Sequence, residues 1–154
     1  MSDSSATESR VPNQIVVFSL GAEEYALPIT QVQEIIRYSE PRAVASEAAW
    51  IRGVISLRGR IIPVCDLATR LGVTRPEGEP GKIVIVETAS STAGIVVDDV
   101  QEVLTLNESD VQPLPVSGTD AIDSIAKIGD RLVVLLDTTG IFGDGELASL
   151  AAAA

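Results

Sequence analysis

The sequence predicts a mostly β fold built from two similar halves. Short β-branched runs recur at close intervals, the second half repeats the first, and helical spacing shows only in brief pieces. Gln14 to Leu20 opens the series as an apolar run, and Glu24 to Ile29 follows across Gly21, with Pro28 as a break. Gly53 to Leu57 and Arg60 to Cys65 then flank Arg58-Gly59, a turn between two strands. The second half offers Lys82 to Glu87, Thr92 to Val97, Val103 to Leu106, Ser124 to Ile128 and Arg131 to Leu136. Strands this short and close point to small barrels. Ile29, Val32, Ile35 and Ile36 have helical spacing, and Leu67 to Leu71 reads as a helix with Asp66 as N-cap and Gly72 as its stop.

The repeat is legible residue by residue. Gln14-Ile15-Val16-Val17-Phe18 matches Lys82-Ile83-Val84-Ile85-Val86, an offset of 68 residues. The same offset sets Ile29 to Ile36 on Val97 to Leu104, with Val32, Gln33 and Glu34 meeting Val100, Gln101 and Glu102. Once one residue is inserted, Gly59 to Asp66 lines up with Gly129 to Asp137, which pairs Arg60 with Arg131 and Asp66 with Asp137. The repeat halves run about 14–74 and 82–143, parted by the Pro- and Gly-rich loop Arg75 to Gly81. The folded part spans 14–145, between a polar tail at 1–13 and an Ala-rich end at 146–154.

Composition narrows the chemistry. With 45% hydrophobic but only 3% aromatic residues, the core must be packed by Val, Ile, Leu and Ala. A net charge of −11 repels phosphate backbones and anionic lipid, so nucleic acid and membrane surfaces are poor partners. No histidine occurs, which removes Ser-His-Asp and Cys-His arrangements, the imidazole base and the usual zinc sets. No Gly-rich phosphate loop is found, and the expectation is of no cofactor and no metal. Asp98, Asp99, Asp110, Asp120 and Asp123 lack ligand-loop spacing and read as solvated or capping groups, with a small carboxylate-dependent hydrolase as the remote alternative. Cys65, the single cysteine, lies in the apolar run Ile61-Ile62-Pro63-Val64 and reads as a buried thiol. The opening residues lack the basic and apolar regions of a signal peptide, and no apolar run approaches a membrane span, so the reading is cytoplasmic.

Several ordered blocks then carry a family resemblance. They are QIVVFSLGAEEYALPI, the Val32-x-Glu34-Ile35 piece, the run RGVISLRGRIIPVCDLATRLG from Arg52 to Gly72, GIVVDDVQEVL, and the closing Gly-x-x-Leu-Val-x-Leu-Leu-Asp pattern. Over about residues 14 to 143 the chain resembles the CheW family of chemotaxis coupling proteins. The resemblance implies two similar, intertwined five-stranded barrels of Src-homology-3 type with a few short helices. It also implies a non-catalytic adaptor that is monomeric in isolation and docks on the regulatory domain of the histidine kinase CheA. Its other partner would be the cytoplasmic tip of chemoreceptors, the methyl-accepting chemotaxis proteins, so that it works at membrane-associated arrays. The same domain occurs in CheA and CheV proteins, and a fragment of one of these is the alternative; no ATP-binding or receiver domain is recognisable. Cys65 stands where an aliphatic residue is common, and Ser56 where Asn is frequent.

For receptor binding the resemblance singles out Arg58 and the acidic Glu34. A solvated turn arginine is the plain reading of Arg58, but a guanidinium there also suits a carboxylate or a partner's backbone. Ile29, Val32, Val97 and Val100 hold equivalent repeat positions, which predicts facing walls of one groove for a receptor helix, with core packing as the alternative. Kinase docking is expected at Arg42, Val44 and Ala45, an apolar edge beside Pro41.

Overall fold

The computed structural model describes residues 14–45, 49–74, 78, 80–88, 91–113 and 121–142. The expected tails, Asp120 and most of the Arg75 to Gly81 loop lie outside the described residues. In chain order the strands are β1 Gln14–Leu20, β2 Glu23–Pro28, β3 Val32–Arg37, β4 Ile51–Leu57, β5 Arg60–Asp66, β6 Lys82–Glu87, β7 Thr92–Val97, β8 Asp99–Thr105, β9 Val111–Pro113, β10 Ile122–Ile128 and β11 Arg131–Leu136. Among the described residues two short helices, α1 Leu67–Leu71 and α2 Thr138–Phe142, follow β5 and β11. No helix among the described residues is long and apolar enough to cross a membrane.

The strands form two sheets, ordered β8-β1-β2-β11-β10-β9 and β3-β6-β7-β5-β4. Exchanging each strand for its repeat equivalent converts one order into the other, and the edge strand β9, where Gln112 pairs with Ile125 of β10, is answered in the other sheet by a single bridge of Arg42 to Val54 of β4. The two five-stranded barrels are therefore similar and intertwined. One takes β1 and β2 from the first half and β8, β10 and β11 from the second; the other takes β6 and β7 with β3, β4 and β5. The halves 14–74 and 82–143 are repeats of sequence, and neither is itself one of the barrels, because each contributes strands to both sheets.

Register repeats as faithfully as order. Ile15 faces Leu104 as Ile83 faces Ile36, with a bulge that skips Gln101 in one barrel and Gln33 in the other. The parallel pairing of Leu135 with Ala26 matches that of Val64 with Gly94. A second pair of bulges passes over Arg52 and Asp123.

This arrangement explains why β1 and β6 are apolar without alternation. Phe18 and Leu20 from β1, with Val84 and Val86 from β6, enter a central core shared by both barrels. Ile15 and Val17 point instead into one barrel interior, and Ile83 and Ile85 into the other. Strands buried on both faces need apolar residues at every step. Each fully buried Ile or Leu there contributes about 1.5–3 kcal/mol of hydrophobic stabilisation.

Two expectations change. The spacing of Ile29, Val32, Ile35 and Ile36 gives no helix: a 3-10 turn at Ile29–Gln31 leads into β3, whose residues alternate between half-buried and exposed. Pairing with β6 supplies a ladder that decides the backbone over the local spacing. The strand at Val103 to Leu106 starts earlier, at Asp99, and ends at Thr105. By contrast α1 forms as expected: Asp66 accepts the Thr69 N–H at 3.4 Å, and Gly72 ends the helix at φ 73°.

Candidate interaction site

The tightest turn of the β4–β5 hairpin is Arg58-Gly59, both with positive φ, 53° and 78°. Two-residue hairpins favour such paired left-handed turns, usually with Asn or Gly at the first position. Here an arginine takes that place. Its guanidinium forms a two-pronged pair with Glu34 on β3, Nη2 to Oε1 at 2.9 Å and Nη1 to Oε2 alongside. The Arg58 side chain is 70% exposed and that of Glu34 only 27%, so the arginine is the outward member. Its hydrogen bonds hold the Glu34 carboxyl below its ordinary value, and Glu34 in turn raises Arg58.

The structure thus brings Glu34 and Arg58 together, but it divides the expected groove. Val32 and Val100 pack at the margin of the central core, and Ile29 is exposed. Val97 is wholly buried, so it is a core residue and lines no open wall. Its equivalent Ile29 escapes burial because β2 ends at Pro28, whereas β7 continues to Val97, which pairs with Lys82.

Arg42 forms a two-bond antiparallel bridge with Val54, its N–H donating to the Val54 carbonyl at 2.8 Å and the reverse bond measuring 2.9 Å. Pro41 is buried, while Val44 and Ala45 stand exposed beyond it. Beside this bridge opens a cleft of about 430 Å³ lined by Ser39, Glu40, Arg42, Val54, Ile55 and Ile61, the last half exposed.

Sequence reasoning missed the charged cluster on the other barrel. Arg131 donates to both Glu24 oxygens, at 3.1 and 3.0 Å, and to Glu102 at 2.8 Å. These two partners raise its basicity. The signal was available, since the repeat sets Arg131 on Arg60 and Glu102 on Glu34, but a sequence alignment does not show that the two positions meet across strands. The exposed Ile35, Ile61, Val103 and Leu132 also fall at equivalent positions, one pair on β3 and β8 and one on β5 and β11.

The acidic residues cap turns and strand ends. Asp98 accepts the Gly21 N–H at 2.7 Å, Asp99 that of Val100 and Asp110 that of Asn107, and Asp123 accepts the Ser124 hydroxyl. Cys65 is fully buried, and burial pushes its thiol far up from its ordinary value.

The model of the CheW-like domain matches residues 14–146. The chain belongs to the CheW-like family. Among its relatives, the chemotaxis protein CheW of Klebsiella aerogenes is 32% identical over 143 residues, covering 90% of this chain and 86% of the relative. The CheW of Bacillus subtilis is 32% identical over 139 residues, covering 87% and 89%. The crystal structure of the scaffolding protein TtCheW from Thermoanaerobacter tengcongensis superimposes with a TM-score of 0.79 at 35% identity, covering 88% of this chain and 96% of the other. The CheW-like match embraces all eleven strands, so both barrels and the Glu34–Arg58 pair lie inside it.

Proposed function

We propose that this CheW-like protein is a non-catalytic coupling adaptor that joins the cytoplasmic tips of chemoreceptors to the regulatory domain of the histidine kinase CheA. It works in the cytoplasm at receptor arrays and is a monomer on its own. Family membership supports the chemotaxis role, and the observation that carries the docking assignment is the exposed Arg58–Glu34 pair. A residue held in a backbone conformation that favours glycine, with its charge turned outward, fits a contact kept for recognition rather than for stability. Receptor contact is assigned to Arg58 and Glu34, together with Ile29, Val32 and Val100, while Val97 belongs to the core. Kinase docking is assigned to Arg42, Val44 and Ala45, beside a cleft where Val54, Ile55 and Ile61 meet the polar Ser39, Glu40 and Ser56. The coupling adaptor is favoured over a kinase or CheV fragment because the CheW proteins of Klebsiella aerogenes and Bacillus subtilis are matched over 86% and 89% of their own length.

Arg58→Glu sets two like charges against each other and should abolish receptor control of kinase activity in a reconstituted receptor–CheA assay, with circular dichroism unchanged. Normal receptor control at equal protein level would overturn the assignment. Val44→Asp should lower capture of a CheA regulatory domain while leaving receptor-tip binding intact.

A further inference from the structure

The two barrels repeat one ionic motif with different partners. On one, Arg131 at the head of β11 is shared between Glu24 on β2 and Glu102 on β8. The matching registers make Glu102 equivalent to Glu34, Arg131 to Arg60, and Glu24 to Thr92. Arg60 thus begins at the place from which Arg131 reaches its glutamate. Yet Arg60 donates only at 3.4 Å, to the Thr92 hydroxyl, while Glu34 is taken by Arg58 from the turn.

We infer that Arg60 is the reserve partner of Glu34: when Arg58 turns its guanidinium to acceptor oxygens of a docked protein, Arg60 leaves Thr92 and takes the carboxylate. The inference rests on the reading of Arg58 as a contact residue and makes Arg60 a positioning residue for it. Two features fit. Thr92 is neutral where the other barrel has Glu24, so Arg60 gives up one long hydrogen bond, whereas Arg131 is clamped between two carboxylates. Arg58 is also far more exposed than Arg131, 70% against 36%. One ionic cluster can therefore release an arginine to a partner without stranding its glutamate. The other stays closed.

The test needs no partner, so its failure and a failure of the coupling role are distinguishable. The Glu34 carboxyl is titrated by ¹³C NMR in the full-length protein, as wild type, Arg58→Asn, Arg60→Gln and the double variant. Asn suits the left-handed turn position, and Arg58→Gly serves as a second version of the same test. Arg58→Asn and Arg60→Gln should each leave the Glu34 midpoint lowered, with Arg60 and Arg58 respectively holding it. Only the double variant should return it to the ordinary glutamate value. A full return in Arg58→Asn alone, or no further rise on adding Arg60→Gln, would overturn the inference.

Discussion

At Arg58 the chain accepts a poor turn former in order to hold a charge outward. The cost should be visible. Arg58→Gly places a residue suited to φ 53° at the turn and is expected to raise the melting temperature by a few degrees while receptor coupling is lost. A melting temperature that stays level or drops would sink this trade-off. Cys65 marks the opposite case, a group placed wholly for packing. Because its thiol is buried and its basicity raised, alkylation at pH 8 should run at least a thousandfold slower than in denaturant, on the order of the opening free energy of a stable domain. Rapid labelling of the native protein would show that the site opens locally. Residue by residue, the sequence revealed Glu34 and Arg58 as a pair through the family blocks, and Cys65 through its apolar neighbours. It did not reveal the burial of Val97, because the difference from Ile29 arises where a strand ends.

Among the elements, hairpins and turns were the most legible, since Arg58-Gly59 and Gly21 break the apolar runs where the strands reverse. The β3 strand was misread because Ile35 and Ile36 fall on opposite faces, which a local pattern takes for helical spacing. The three-residue β9 is too short to leave a periodic signal, whereas α2 has the same five residues as α1 in length and follows Asp137 as α1 follows Asp66, so the repeat carried a signal for it. Gly53 shows how one small residue seats a neighbouring segment. Its φ is 150°, and a Cβ there would lie 2.1 Å from the Arg42 carbonyl oxygen. Gly53→Ala should therefore cost more than about 2 kcal/mol in urea unfolding and loosen the Arg42 bridge. Gly59→Ala, strained at φ 78° but with open space around it, should cost only about 1 kcal/mol. Equal losses in the two variants would remove the steric argument.

For the whole molecule, the sharing of strands between halves leads to a direct expectation. Fragments 14–74 and 82–142 should each lack a cooperative melt when alone, and mixing them should restore the spectrum of the intact protein, because each sheet requires both. A fragment that melts cooperatively by itself would contradict this. The net charge of −11, with Lys82 and Lys127 as the only lysines, imposes self-repulsion that salt relieves as the Debye length shrinks to about 3 Å at 1 M. Thermal unfolding in KCl from about 0.05 to 3 M should show stability rising along the series. A flat series would assign the composition to drift rather than to adaptation to a saline cell.

The interleaved strand order also bears on how the protein is made. β2 lies beside β11, so the first hairpin to leave the ribosome must wait for the last described strand before its own sheet can be completed. During synthesis its apolar faces, Ile15 and Val17 on one side and Phe18 and Leu20 on the other, have no finished partner. The nascent chain is then most exposed to aggregation and proteolysis until β11 has emerged. A stop codon ahead of Arg131 would destroy the environment of the N-terminal strands as surely as a deletion among them.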